Sequence, residues 1–122
     1  MDYKLEFESR AGYLYVYVEA YKITYEAMRE YCSKIGEAVQ ATPERRMLVE
    51  RAAGKQLSTT DAFRLAAELP ELGFARTKFA FVDHTENNDD LNEFTETVGN
   101  NRGLNARTFK TVEAAENWLM SG

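Results

Sequence analysis

The chain has 122 residues, of which 44% are hydrophobic, 29% charged and 12% aromatic, and it carries a net charge of −5. That is the size and balance of a single globular domain spanning residues 1–122, and its apolar runs are too short to cross a bilayer. The acidic balance argues against nucleic-acid binding through phosphates, while one His and one Cys leave no multi-His metal cluster and no CxxC pair.

Residues 3–8 alternate, with Tyr3, Leu5 and Phe7 on one face and Lys4, Glu6 and Glu8 on the other, which predicts a half-buried strand. Residues 9–12 form a turn in which Gly12 is free to take positive φ. Residues 13–19 alternate again, Leu14, Val16 and Val18 against Tyr13, Tyr15, Tyr17 and Glu19, so the two runs read as a hairpin. Thr24 caps a helix over residues 25–41, whose inner stripe is Tyr25, Met28, Cys32, Ile35 and Val39. A short strand at 46–50 follows. Ser58, with Asp61 three residues on, opens a second helix running to Leu69, with Ala62, Leu65, Ala66 and Leu69 inward. Residues 77–82 predict a buried strand. Asn88 or Asp89 caps a third helix with Leu91, Phe94 and Val98 on one stripe, and Gly103 stops it. Residues 104–109 are the last strand, and Thr111 caps a final helix with Val112, Ala115, Trp118 and Leu119 inward. Strand–helix–strand units demand right-handed crossovers and parallel pairing. The expected fold is α/β: a mixed five-stranded sheet, an N-terminal hairpin followed by β-α-β-α-β-α, with four helices packed on it.

Three stretches carry a resemblance. They are Leu57-Ser-Thr-Thr-Asp-Ala-Phe-Arg-Leu-Ala-Ala-Glu-Leu69, Phe94-Thr-Glu-Thr-Val-Gly-Asn-Asn-Arg-Gly-Leu-Asn-Ala-Arg-Thr-Phe109 and Val112-Glu-Ala-Ala-Glu-Asn-Trp-Leu119. With the order of elements, they resemble the STAS domains and, more closely, the SpoIIAA-like family of stand-alone bacterial proteins. The resemblance implies a non-enzymatic regulatory or binding domain. In the anti-sigma antagonist branch, a serine at the start of the helix after the central strand is phosphorylated. The matching positions here are Ser58, Thr59 and Thr60. That branch carries an Asp-Ser-Ser-Gly-like signature, whereas this chain reads Gln56-Leu57-Ser58-Thr59-Thr60-Asp61. The glycine is gone, and Asp61 repels an added phosphate, which speaks against a kinase-driven switch. The family is also similar in shape to CRAL-TRIO lipid carriers, which implies an apolar ligand or membrane contact.

Two regions stand out from the residues themselves. Asp83, Glu86, Asp89, Asp90, Glu93 and Glu96 fall within residues 83–96 with no Lys or Arg among them, so outside this stretch the chain is at +1. It has no calcium-loop core and no Glu at the twelfth position from Asp83. Together with the Ser58–Asp61 helix start, Asp89, Asp90 and Glu93 are candidates for a face that binds a basic partner. The second region is the tyrosine series. Tyr13, Tyr15, Tyr17 and Tyr25, with Met28 and Cys32, are candidates for a pocket between the sheet and the first helix that suits an apolar small molecule or lipid. His84 beside Asp83 has no nucleophile near it in sequence, and Arg102 and Arg107 read as surface ion pairs.

Catalytic residues, metal ligands and a cofactor are not expected, since the paired, positioned groups that catalysis needs are missing from the inventory. The expected partners are another protein, a second copy of the chain, or the apolar ligand, and not nucleic acid. The lone Cys32 and an N-terminus without a signal-peptide apolar stretch fit a cytoplasmic protein.

Overall fold

Alternation along the first two strands closes into a hairpin. In the computed structural model, which describes residues 1–121, β1 (Tyr3–Arg10) and β2 (Tyr13–Ala20) pair antiparallel with Arg10 opposite Tyr13. The turn is therefore Ala11 and Gly12 alone, two residues shorter than expected, because the ladder runs on through Ser9 and Arg10. Gly12 takes φ +87°, a left-handed conformation that favours glycine.

The remaining elements are α1 (Tyr25–Gln40), β3 (Arg46–Ala53), α2 (Thr59–Glu68), β4 (Lys78–Asp83), α3 (Asp89–Asn101), β5 (Asn105–Phe109) and α4 (Val112–Leu119). A single 3₁₀ turn, Leu69–Leu72, follows α2 and carries Pro70 where its missing donor is tolerated. The sheet order is β1-β2-β3-β4-β5, and all pairs after the hairpin are parallel. This is the mixed five-stranded α/β architecture with four helices that the pattern predicts.

The sheet grows in one direction, and right-handed crossovers then put every connecting helix on the same face. So α1, α2 and α3 cover one side, over Val16, Val18, Met47 and Val49, with Met28, Ile35, Val39 and Leu65 packed down on them. The helix α4 is not a crossover. It folds back onto the other face, where Ala115 and Leu119 bury Leu48, Ala80 and Val82.

This layering corrects one expectation. Leu14, Val16 and Val18 belong to the α1 face, so alternation turns Tyr13, Tyr15 and Tyr17 to the opposite side of the sheet. Tyr13 is buried beneath α4 and Tyr15 packs beside it. Among the described residues no pocket forms between the Tyr13/Tyr15/Tyr17 face and α1, since the sheet itself lies between them.

Helix α1 packs closely on the 3₁₀ turn. A Cβ on Gly36 would stand 1.8 Å from the Leu72 carbonyl oxygen, and one on Gly73 2.7 Å from the backbone of Gly36. Two glycines thus let the backbones touch. Gln40 ties the same junction by donating to the carbonyls of Gly73 and Ala75, at 2.8 and 3.1 Å.

Candidate functional site

The inner face of the sheet is apolar until its carboxyl edge. β3 runs three residues beyond the expected 46–50, which brings Arg51 into the strand directly opposite Asp83 on β4. Both side chains point to the α1–α3 face. Arg51 Nη2 lies 2.8 Å from Asp83 Oδ2 and Nε lies 3.2 Å from Oδ1, a two-pronged pair, with the guanidinium 5.0 Å from the centre of the Phe81 ring.

Asp83 gathers its surroundings. It also accepts from the backbone N–H and hydroxyl of Thr85 at 3.1 and 2.8 Å, from Asn88 Nδ2 at 2.6 Å and from Asn92 Nδ2 at 2.9 Å. Its side chain is only 2% exposed. Burial by itself would raise the carboxyl, but the hydrogen bonds and charge of Arg51, with the two amides, hold it well below the usual carboxylate range. Desolvation offsets much of the Coulombic gain of a buried ion pair, and here the pair and its amide partners gather at the carboxyl edge. That is also the edge where open parallel sheets bind ligands.

Next to the cluster lies a cavity of about 120 Å³ between the sheet and α1–α3. Val18, Met28, Cys32, Ile35, Leu65 and Phe79 contribute apolar lining, and Arg51, Asn88 and Asn92 are among the polar lining. Tyr31 adds a ring from α1, set edge-on to Tyr3 with centroids 5.5 Å apart. Burial pushes the Tyr31 phenol up to about 12 despite nearby Arg51, and it pushes the Cys32 thiol up to about 12 as well. An open groove of about 620 Å³ runs alongside between α3 and β5, bordered by Asp83, Asp89, Glu93, Glu96, Arg107 and Lys110.

No family model and no curated protein matches the chain. A solved structure does: an uncharacterized protein of the DUF3478 family from Shewanella loihica PV-4, described as having a SpoIIAA-like fold. The match covers 96% of this chain and 93% of that one, with a TM-score of 0.56 and 23% identity. The fold is SpoIIAA-like. At that identity the likeness speaks for the fold and leaves the site to be read from this chain's own residues.

Within the SpoIIAA-like fold, the expected residues separate into several places. Met28 and Cys32 line the cavity. Tyr25 does not; it turns to α2, donating to Glu68, with the Arg64 guanidinium 3.9 Å above its ring. Ser58, Thr59 and Thr60 are exposed at the start of α2, where Ser58 Oγ accepts from the Asp61 N–H at 3.2 Å as an ordinary cap. Asp89, Asp90 and Glu93 lie exposed on the first turns of α3, Asp89 within 3.3 Å of Lys110. The loops leading into α2 and α3 are joined by a bond from the Gln56 side chain to the Asn87 carbonyl, so both groups share the carboxyl edge.

Two expectations about α3 change. Asn88 stands at the cap position but makes no cap bond; its amide is drawn to Asp83 instead. Phe94 is not inward. It is exposed and stacks on Phe63 of α2 with centroids 6.2 Å apart, while Asn92 takes the buried position. On the other face, His84 Nε2 lies 2.6 Å from Glu50, to which Tyr15 also donates.

The sequence pattern does not single out Arg51, Tyr31 or Asn92, and it marks Asn88 only as a helix cap. A signal was there for the ion pair. Met47, Val49 and Arg51 share one face of β3, and Phe79, Phe81 and Asp83 one face of β4, so each apolar row ends on an opposite charge.

Proposed function

We propose that the chain is a non-catalytic binding domain that holds a small apolar molecule between the sheet and α1–α3. The observation that carries this reading is the cavity of about 120 Å³, lined mostly by apolar side chains, with Arg51, Asn88 and Asn92 among its polar lining. An apolar cavity of ~150 Å³ stays dry and takes benzene, so the occupant has roughly that size. A long acyl chain enters only if α1 and α2 move apart. Two groups here with the chemistry for catalysis are held back from it: Asp83 accepts six hydrogen bonds, and a thiol pushed up to about 12 is a poor nucleophile near neutral pH. Native mass spectrometry and toluene titration followed by thermal unfolding test the reading. Added mass on the purified chain, or a rise in Tm that saturates with toluene, is expected. A chain with no added mass and no response to toluene contradicts it.

A second reading, binding of a protein partner, is favoured by a different observation. The exposed Phe63–Phe94 stack, with Arg102 5.9 Å from Phe63, lies across α2 and α3, the latter opening on Asp89, Asp90 and Glu93. Aromatic anchors rimmed by acids suit a basic partner with an apolar centre. Replacing Asp89, Asp90 and Glu93 by Lys is expected to weaken partner capture in a pull-down, and unchanged capture counts against this surface.

A further inference from the structure

The two edges of the sheet are finished differently. β5 forms one of them, and its outer backbone is occupied. Asn100 accepts from the Ala106 N–H and donates to the Ala106 carbonyl, both at 2.9 Å, and Glu96 accepts from the Thr108 N–H at 2.6 Å. Side chains of α3 thus take the places that a further strand would need. β1 forms the other edge. The Asp2 carbonyl accepts from the Tyr21 N–H at 2.9 Å, and the bonds of an antiparallel ladder fall on every second residue. So Lys4, Glu6, Glu8 and Arg10 bond to β2, while the N–H and carbonyl groups of Tyr3, Leu5, Phe7 and Ser9 point out of the sheet along an eight-residue strand. The side chains of these outward residues lie on the α1 face, where Tyr3 and Leu5 pack against the core but Phe7 is 45% exposed.

We propose that two copies of the chain join at this edge, β1 pairing with β1 of the second copy, antiparallel about a two-fold axis at Glu6. The chain carries −5 overall, yet the charges of β1 cancel, Lys4 and Arg10 against Glu6 and Glu8. Copies that repel elsewhere can therefore approach here. The order of the charges is also its own complement. With the axis at Glu6, Lys4 faces Glu8 of the second copy and Asp2 faces Arg10 of the second copy, each contact made twice. Leu5 then lies opposite Phe7 of the second copy and Tyr3 opposite Ser9, so outward backbone groups meet outward backbone groups and the exposed ring is covered. One like pair, Glu6 against Glu6, sits on the axis, with Lys4 3.0 Å from Glu6 in each copy. Moving the axis to Phe7 would set Lys4 on Arg10 and Glu6 on Glu8. Moving it to Leu5 would set Asp2 on Glu8 and carry Ser9 past the start of the facing strand. Charges on an edge strand deter indiscriminate pairing; in this order they admit one register.

Sedimentation velocity of the full chain over a range of concentrations should show a monomer–dimer equilibrium. Lys4→Glu and Glu8→Lys each turn both Lys4–Glu8 contacts into like pairs, and each should raise the dimer Kd about tenfold or more. Both positions are exposed, so the fold should tolerate the changes. An equimolar mixture of the two variants sets the new acid against the new base and keeps the native pair at the other contact, so the dimer should return. Hydrogen exchange on the native chain gives a readout that needs no variant. The Leu5 and Phe7 amides should be protected in the dimer and open to solvent in the monomer, whereas those of Ala106 and Thr108 should be alike in both. A chain that stays monomeric at every concentration overturns the proposal. So does a dimer that both variants leave intact, or that their mixture fails to restore, since another surface or register then forms it. Should a variant fail to fold, exchange decides alone: fast exchange at Leu5 and Phe7 in the dimer overturns the pairing.

Discussion

Asp83 is the residue on which the carboxyl edge converges, and its protonation state is coupled to folding. Its folded pKa lies below the unfolded value of ~3.9, so the stabilisation it provides is complete above that value and is lost as pH falls toward the folded one. Unfolding free energy measured from pH 7 down to 3 should therefore fall on the acid side in the native chain. Asp83→Asn should flatten that limb. At neutral pH the same variant is expected to cost about 3–5 kcal/mol, because the mostly buried Arg51 is left without its counter-charge. An acid limb equally steep in the variant would assign the pH dependence to other carboxylates, Glu50 first among them, since its hydrogen bonds from Tyr15 and His84 outweigh burial and lower it too.

Between α1 and the 3₁₀ turn, the closest approach is backbone against backbone, at Gly36 and Gly73. Gly36→Ala should destabilise the chain by about 1–3 kcal/mol through overpacking, because the new Cβ meets the Leu72 carbonyl at 1.8 Å. Gly54→Ala, with nothing within 4 Å of its Cβ, should stay within about 0.5 kcal/mol; urea denaturation of the two variants compares them directly. Such contacts also explain what was legible in the sequence. The alternation at Tyr3–Phe7 and Tyr13–Glu19 and the stripe from Tyr25 to Val39 are local, and the structure has the hairpin and α1 where they fall. Which face of β2 meets α1 is not local. It follows from three right-handed crossovers acting together, and weighing the tyrosines by themselves puts them on the wrong side. Asn88 shows the same limit: three residues that look alike as helix caps differ, because Thr24 and Thr111 cap α1 and α4 while Asn88 has Asp83 within reach. The cavity itself is a gap among elements far apart in the chain, and no spacing of residues announces it.

The two faces of the sheet form separate cores, one beneath α1–α3 and one beneath α4. Leu119 is fully buried in the second core, over Leu48, Ala80 and Val82. Leu119→Ala should cost about 2–5 kcal/mol in urea denaturation, yet leave toluene affinity unchanged under folding conditions, since the cavity is on the far side. A loss of affinity in that variant would mean that the sheet transmits strain between its faces. The acidity is distributed just as unevenly: residues 83–96 carry six acids and no Lys or Arg, and they occupy the end of β4, the loop beyond it and the first turns of α3. The cavity's polar lining and the acidic surface thus meet at one edge of the molecule.

The strand order β1-β2-β3-β4-β5 has a bearing on how the chain is made. Each strand pairs with the one synthesised just before it, so a growing polypeptide can lay down its sheet in the order of translation, with α1, α2 and α3 covering one side as they emerge. The other side has no such running cover. Tyr13, Leu48, Ala80 and Val82 stay uncovered on a nascent sheet until α4 has left the ribosome. That interval, in which an otherwise assembled sheet shows one apolar face, is when the chain is most open to capture by a chaperone or by another nascent copy of itself.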